Sequence, residues 1–402
     1  MTIRITRRNF LELSLAALVS ACTSRSPTPT PTATVIRPTE TPFDDTTPHI
    51  SDPDDPNLLY TGRIDFSNAK QPKFSAPGVY IQAKFRGTAA AVMLEDEFKW
   101  GTNRNYYDVV IDDTTVVKVS PERSSVTRNE VVSGLPNTEH TLRLVKRTEA
   151  SIGYCKFLGF EFAGQILPPP ARPTRRIEFI GDSITCGTGD EAMINSKQCS
   201  EDGWGQPYNN ARVSYGPVVA SLLNAEYHIS AVSGIGMVRN YSFQYDKRPM
   251  PEVYDSLFFE QVASPTWDPQ RFIPDAVVIA LGTNDFSPGD SDRPIMKVED
   301  FVSAYVQFVN KLRGYFPNAD IFCVSSPMLG DGWPTAEYKS ATDQKASITE
   351  VVTQFNQKGD TKVFKHFTSP VVGMGCSTHP SADQHKVMAS ILASYIASVK
   401  GW

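Results

Sequence analysis

From Arg175 to the C-terminus, short apolar runs alternate with longer segments that have helical periodicity. The apolar runs predict buried strands, and the longer segments predict helices that cross from one strand to the next. Strands joined in this way lie parallel, with right-handed crossovers. The predicted strands are Ile177–Ile180, Tyr227–Val232, Ala276–Leu281, Asp320–Val324 and Lys362–His366, and the predicted helices are Ser214–Leu223, Val298–Tyr315, Ala341–Gln357 and Ser381–Val399. The pattern therefore predicts an α/β domain built on a parallel sheet.

The stretch from Leu58 to Ala163 differs, because short runs of strand-forming residues are separated there by turns. The runs lie at Val79–Phe85, Ala89–Leu94, Tyr106–Ile111, Thr115–Val119, His140–Val145 and Lys156–Phe162, with a turn signal at Asp112-Asp113. This pattern predicts a β-sandwich of the jelly-roll type over residues 57–166. A proline-rich connector, Leu167–Pro173, opens the α/β domain, which we place at residues 167–402.

The N-terminus has the sequence of an export signal. Residues 1–22 contain a twin-arginine pattern at Thr6–Leu11, followed by an apolar stretch too short to span a membrane. The stretch ends in Val19-Ser-Ala-Cys22, which resembles a bacterial lipobox and predicts a lipid anchor on Cys22. The alternative is an ordinary secretory signal in which the cysteine is incidental. Both interpretations predict export from the cytoplasm.

Residues 23–56 are rich in Thr, Pro and Ser, and we expect an extended spacer because such a segment buries too little apolar surface to fold.

The chain has 402 residues, an apolar share of 40% and a formal net charge of −5. The negative charge argues against nucleic acid as a partner. The sequence has no phosphate-binding loop, dinucleotide fingerprint or cysteine–histidine cluster, so we expect no metal and no organic cofactor.

A serine follows the first predicted strand of the α/β domain. The segment Gly181-Asp-Ser183-Ile-Thr185 comes directly after Ile177–Ile180, which places the serine at the carboxyl edge of the sheet, where open α/β folds bind ligands. Three further residues occupy comparable positions: Gly234 after the second strand, Asn284 after the third strand and His379 before the last helix.

Together these four residues predict a serine esterase. His379 would take the proton of Ser183 as a general base. The backbone N–H groups of Ser183 and Gly234 and the side-chain amide of Asn284 would form an oxyanion hole. Each residue taken alone has a structural interpretation, as a helix cap, a turn glycine, a loop cap or a packed histidine. Their order and their positions relative to the strands favour catalysis.

The order of these residues resembles that of the SGNH (GDSL-type) hydrolases, which implies a three-layer α/β/α catalytic domain. That superfamily usually has an aspartate three residues before the histidine, whereas this chain has Cys376. A thiol cannot replace a carboxylate there, so either a main-chain carbonyl or a distant carboxylate orients His379. We favour a Ser183–His379 dyad held by a carbonyl. Asp182 and Asp285 are predicted to order their turns through side-chain-to-backbone hydrogen bonds.

The six cysteines do not specify a disulfide pairing. The chain has Cys22, Cys155, Cys186, Cys199, Cys323 and Cys376. Lipidation of the first leaves an odd number, so at least one of the others stays free or pairs between chains. Cys186 and Cys199 flank one loop beside the predicted site, which makes a disulfide between them possible. Cys323 lies in an apolar strand and is predicted to be buried.

Longer runs resemble carbohydrate esterase family 2. They are Pro168–Gly189, Gly134–Leu142, Leu144–Ala150 and Ser233–Tyr241, and the resemblance extends from about Leu58 to the C-terminus. It implies a jelly-roll β-domain before an SGNH catalytic domain, and a Ser–His dyad. It also implies a substrate, an acetylated polysaccharide or oligosaccharide such as xylan or glucomannan, from which the enzyme removes O-acetyl groups.

The sequence is also compatible with two other functions. One is a lipid or short-chain acyl esterase that uses the same residues, and the other is a non-catalytic carbohydrate-binding lipoprotein. Aromatic residues in two loops bear on the choice, namely Trp204 and Tyr208 in one and Trp333 in the other. Each would stack on a sugar ring or pack against its own loop.

Overall fold

The computed structural model describes residues 47–402, except residues 194–198, 200–205, 242–247 and 290–292. The predicted signal sequence with Cys22, most of the predicted spacer, and Trp204 therefore lie outside the described residues. Within the described ranges, no helix combines the length and the apolar character needed to cross a membrane.

The N-terminal domain is a sheet of nine strands within the described part of the chain. The strands are β1 (Pro48–Ser51), β2 (Leu59–Thr61), β3 (Lys73–Phe74), β4 (Tyr80–Asp96), β5 (Tyr107–Ile111), β6 (Thr115–Val119), β7 (Thr127–Val132), β8 (Thr138–Lys146) and β9 (Cys155–Leu167). The long strand β4 organises this domain, because β8 and then β7 pair along one of its edges, and β2 and then β9 pair along the other.

Two features of this domain differ from the sequence prediction. The predicted strands Val79–Phe85 and Ala89–Leu94 are one strand, β4, and the predicted break coincides with irregular register between Gly87 and Ala91, where β8 gives way to β7. The end of the predicted spacer forms β1, which pairs antiparallel with β9. The hydrogen bonds that pair β1 with β9 are made by backbone groups. The Pro- and Thr-rich side chains of this segment therefore do not indicate a strand.

The second domain has five parallel strands in the order β11-β10-β12-β13-β14. The strands are β10 (Arg175–Gly181), β11 (Ala225–Ala231), β12 (Ala276–Ala280), β13 (Asp320–Val324) and β14 (Val363–His366). The described helices are α1 (Ser183–Cys186), α2 (Tyr215–Leu222), α3 (Met250–Val253), α4 (Thr283–Phe286), α5 (Val298–Tyr315), α6 (Ser340–Gln357) and α7 (Ala382–Lys400). The alternating pattern of the sequence is confirmed, and α5 and β13 have the predicted bounds.

The described residues belong to one compact unit, in which buried polar contacts join the two domains. The fully buried guanidinium of Arg63 donates to the carbonyl oxygens of Tyr254 (2.8 Å) and Ser256 (2.9 Å). The buried carboxylate of Asp108 in β5 accepts from Arg212 of the second domain at 2.5 Å. Separation of the domains would leave the Arg63 guanidinium without its hydrogen-bond partners and Asp108 with Arg147 as its remaining arginine. The cost of exposing or unpairing these buried charges holds the β-domain in a fixed position against the α/β domain.

Candidate active site

Ser183 lies on a turn that is held at the carboxyl end of β10. A Cβ on Gly181 would come within 2.0 Å of the hydroxyl oxygen of Thr185, so only glycine fits there. The Asp182 carboxylate accepts a hydrogen bond from the N–H of Ile184 at 3.0 Å and caps α1, as the sequence predicted. Ser183 is the first residue of that helix and is 8% exposed.

The ring of His379 lies between Ser183 and a main-chain carbonyl. Its Nε2 atom is 2.8 Å from Ser183 Oγ, and its Nδ1 atom is 2.9 Å from the carbonyl oxygen of Cys376. A carbonyl can only accept, so Nδ1 carries the hydrogen and Nε2 is free to accept the hydrogen of Ser183. This geometry is the carbonyl-held arrangement of the ring that we predict from the sequence. Burial lowers the pKa of His379 below its usual value, and the Cys376 carbonyl partly opposes that shift.

The carbonyl of Cys376 is presented by a turn with an uncommon backbone conformation. Ser377 and Thr378 have φ values of 50° and 63°, which are rare for residues with a side chain. The N–H of Cys376 donates to the Gly189 carbonyl at 3.0 Å, and a Cβ on Gly189 would approach the Cys376 Cβ to 2.4 Å. The surroundings therefore hold a strained turn in place at the point where the histidine is oriented.

A disulfide between Cys199 and Cys376 also holds this turn. The possible pairing of Cys186 with Cys199 is therefore wrong. Cys186 lies in α1 with its side chain buried in the core beneath the sheet edge, where it is a free thiol. The partner of Cys199 is 177 residues away along the chain, a separation that no local pattern could indicate. Cys323 is buried, as predicted.

The predicted oxyanion donors come from the two strands that flank β10. Gly234 follows β11 and has a φ of 78°, a left-handed conformation that glycine adopts without strain. Asn284 lies in α4, after β12, and its Nδ2 atom donates to the Ile235 carbonyl at 2.8 Å. That bond uses one of the two amide hydrogens, and the second is available to a substrate. The sheet order thus places one donor on each side of Ser183.

Asp285 supports the same side of the site. Its carboxylate accepts from the backbone N–H groups of Met237 (2.9 Å), Val238 (2.7 Å) and Arg239 (3.0 Å). It therefore orders the loop after Gly234, and the prediction that it orders its own turn is wrong. Burial raises the pKa of Asp285, and the three N–H groups oppose that shift.

No local pattern in the sequence indicates that the β-domain contributes to the site. Glu149 follows β8, and its carboxylate contacts Thr188 and Asn209 beneath the turn that carries Ser183. Only the likeness of the run Leu144–Ala150 to a known family drew attention to this segment. Among the described residues, no group of three or more His, Cys, Asp and Glu side chains is arranged to hold a metal ion.

One exposed aromatic residue lies at the same edge of the sheet as Ser183. Trp333 is 66% exposed and belongs to the loop that follows β13. Because the strands are parallel, the loops after β10, β11, β12 and β13 share one edge. The ring of Tyr208, by contrast, lies under the ammonium group of Lys118 from the β-domain, at 5.7 Å from its centre.

Two family models match the chain. The model for the carbohydrate esterase 2 N-terminal domain matches residues 60–170, and that for the GDSL-like lipase/acylhydrolase family matches residues 179–387. The chain is 36% identical over 357 residues to cellulase/esterase CelE of Acetivibrio thermocellus. The matched region covers 87% of this chain and 40% of CelE. It is 27% identical over 353 residues to an acetylxylan esterase/glucomannan deacetylase of Cellvibrio japonicus, covering 87% of this chain and 90% of that protein.

The chain belongs to carbohydrate esterase family 2. A solved family two carbohydrate esterase from Clostridium thermocellum, in complex with cellohexaose, superposes with a TM-score of 0.76 and 33% identity. The match covers 86% of this chain and 99% of that chain. The predicted family and fold class are thereby confirmed. This family 2 esterase spans less than half of CelE, so the activities of that larger protein do not transfer as a whole.

Proposed function

We propose that this protein removes O-acetyl groups from plant hemicellulose, such as acetylxylan or acetylglucomannan, through an acetyl-Ser183 intermediate. One observation carries the proposal, namely the continuous hydrogen-bond chain from Ser183 Oγ through the His379 ring to the Cys376 carbonyl. The relatives' names supply the substrate class, since one of them is an acetylxylan esterase/glucomannan deacetylase.

The reaction begins when Ser183 Oγ attacks the acetyl carbonyl carbon and its proton passes to Nε2 of His379. The N–H groups of Ser183 and Gly234 and the second amide hydrogen of Asn284 bind the oxyanion that forms. One such donor lowers the barrier by about 3–4 kcal/mol. His379 then protonates the sugar oxygen, and the sugar leaves with a free hydroxyl. Water attacks the acetyl-enzyme by the same route and releases acetate.

The surface near the site suits a sugar polymer better than a long acyl chain. The exposed ring of Trp333 offers an apolar face on which a pyranose ring can stack. An apolar groove of about 270 Å³ lies between residues 366–371 and α7, but neither Ser183 nor His379 lines it. Among the described residues, this groove is therefore not placed to hold the acyl chain of an ester at Ser183.

We further propose that the enzyme is exported and anchored through Cys22, with the Thr- and Pro-rich segment as its tether. The Cys199–Cys376 disulfide supports export, because disulfides persist in oxidising compartments. Membrane fractionation and lipid labelling test the anchor. We expect Cys22→Ser to lose both the label and the membrane association, and a labelled, membrane-bound Cys22→Ser protein would refute the anchor.

The activity is tested by acetate release from acetylated xylan and acetylated glucomannan, with Ser183→Ala as the comparison. We expect release by the wild type alone, with Ser183→Ala folded but inactive, because the nucleophile is lost. Comparable release by both proteins would refute the role of Ser183.

Two other outcomes would replace the proposed function. Cleavage of aryl esters that favours long acyl chains, with no release of acetate from polysaccharide, would identify a lipid esterase that uses the same residues. Polysaccharide binding without hydrolysis of any ester would identify a non-catalytic binding protein.

A further inference from the structure

Glu149 brings a carboxylate from the β-domain to the back of the active site. It lies between β8 and a short turn at residues 150–152, and it is 6% exposed. Its Oε1 atom accepts from the Thr188 hydroxyl at 3.2 Å and from the Asn209 side-chain amide at 3.4 Å. Both of these residues belong to the α/β domain, so the contact crosses between the domains.

The partners of Glu149 lead to the two loops that supply backbone oxyanion donors. The N–H of Thr188 donates to the carbonyl of Ser183 at 3.1 Å, which ties it to the nucleophile turn. The Thr188 hydroxyl lies 2.8 Å from the hydroxyl of Ser233, the residue directly before Gly234. Through Thr188, the carboxylate therefore joins the loop after β10 to the loop after β11.

The chemistry of the carboxylate sets the direction of these hydrogen bonds. The hydroxyls of Thr188 and Ser233 each have one hydrogen to donate, and an ionised carboxylate can only accept. The carboxylate of Glu149 is therefore the last acceptor in the series of hydrogen bonds that includes the Thr188 and Ser233 hydroxyls. Burial raises the pKa of Glu149, and hydrogen bonds from Ser233 and Thr188 oppose the shift. Without this acceptor, two half-buried hydroxyls would lose their fixed orientation.

The backbone that carries Glu149 is itself held firmly. The buried ammonium group of Lys146 donates to the carbonyl oxygens of Thr148 at 2.6 Å and Glu149 at 3.1 Å. The Thr148 hydroxyl donates to the side-chain oxygen of Asn105 at 2.7 Å. All of these groups belong to the β-domain, so that domain supplies a rigid support from which the carboxylate reaches the site.

We propose that Glu149 is a positioning residue for the oxyanion hole, which fixes the N–H groups of Ser183 and Gly234 relative to each other. The β-domain thereby takes part in catalysis as well as in packing. This inference rests on the proposed function, because it assumes that Ser183 is acylated.

The test compares Glu149→Leu with Glu149→Gln in kcat and KM for 4-nitrophenyl acetate. Leucine keeps the bulk but removes the acceptor, and we expect kcat to fall by about tenfold to a hundredfold because the donors are misplaced. KM should stay within about twofold, since the ground-state ester makes little use of the hole. Glutamine keeps an acceptor oxygen for Thr188, so it should restore kcat to within about threefold of the wild type.

A second readout separates positioning from general destabilisation. A boronic acid that adds to Ser183 places an oxygen in the oxyanion hole, so its affinity should fall in Glu149→Leu in parallel with kcat. The matched control is Glu178→Gln, a change of another buried glutamate that contacts Ser230 and Tyr254 in the α/β domain. It should lower the melting temperature and leave kcat and the boronic acid affinity unchanged.

Unchanged kcat in Glu149→Leu, or a loss of kcat with no loss of boronic acid affinity, would overturn the inference. If Glu149→Leu does not fold, Thr188→Val tests the same link, and its kcat should fall in the same way. If the wild type is active and Thr188→Val has the kcat of the wild type, the inference is wrong and the proposed function is unaffected. Equal inactivity of the wild type and Ser183→Ala would overturn the proposed function together with it.

Discussion

The two sides of the proposed active site are held by different kinds of group. On the oxyanion side, buried carboxylates order the loops, with Asp182 capping the nucleophile turn and Asp285 accepting three backbone N–H groups. On the histidine side, a main-chain carbonyl orients the ring, and a disulfide and the backbone of Gly189 hold that carbonyl. The first arrangement depends on single side chains and the second on the shape of a loop.

This difference has a consequence for the base itself. A carboxylate partner would stabilise the protonated imidazole with a full negative charge, whereas the Cys376 carbonyl offers only a dipole. Burial lowers the pKa of His379, the proposed base, and the Cys376 carbonyl opposes that shift only in part.

Removal of the base should give the largest effect. We expect His379→Ala to lower kcat for 4-nitrophenyl acetate by about 10⁴-fold or more, because Ser183 loses the group that takes its proton. The control is His385→Gln, a change of a buried histidine that accepts from the N–H of Tyr215 at 3.1 Å and does not contact Ser183. It should lower stability and keep kcat within about tenfold. Equal losses in both variants would contradict the assignment of His379.

Loss of the Asp285 carboxylate should come next. Asp285→Ala leaves three N–H groups in the loop after Gly234 without an acceptor, at a cost of about 3 kcal/mol or more in the free energy of unfolding. We expect kcat to fall by about a hundredfold, because Gly234 and Asn284 shift relative to Ser183. The same change at Asp275, which accepts from the N–H of Arg176 near the opposite end of the strands, should leave kcat unchanged. Steady-state kinetics and urea unfolding check both expectations.

The positions of the proposed oxyanion donors could be predicted from the sequence because each of them follows a strand. Ser183, Gly234 and Asn284 each come after a buried apolar run, and parallel strands bring such positions to one edge. The turn aspartates were also recognisable as acceptors for backbone N–H groups. Asp285 acts on a neighbouring loop instead of its own turn, and this long-range contact has no local signal.

The histidine side could be predicted only in outline. The absence of an aspartate three residues before His379 pointed to a carbonyl, but the φ values of Ser377 and Thr378 that aim it depend on contacts with Gly189. The disulfide joins residues far apart in the chain, and Glu149 reaches the site from the other domain. All three features arise from tertiary packing, which periodicity and turn residues do not encode.

Removal of the disulfide should have a moderate effect on catalysis. In Cys199→Ser the Cys376 turn keeps its hydrogen bond to Gly189 but loses the covalent link, so we expect kcat to fall by about threefold to tenfold. Reduction of the wild type with dithiothreitol should give the same loss and should not change Cys199→Ser further. Cys155→Ser, which alters a buried free thiol in the β-domain, is the control and should keep full kcat. Full activity of folded Cys199→Ser would mean that the backbone contacts suffice.

The smallest effect should be a shift in the pH dependence of kcat/KM. It tests most directly whether a carbonyl, and not a carboxylate, orients His379. Burial lowers the pKa of His379 from its usual 6.5, so the ring stays neutral, and able to accept a proton, at more acidic pH. The neighbouring His385 does not disturb this, because burial, reinforced by His379, lowers its pKa to about 3 and keeps it uncharged over the working range. We therefore expect kcat/KM for 4-nitrophenyl acetate to fall only as the pH drops below the usual histidine value, and to be constant above it until another group titrates. An inflection at or above the usual value would indicate that a negative charge faces the ring, and the histidine side would then depend on a carboxylate as the oxyanion side does.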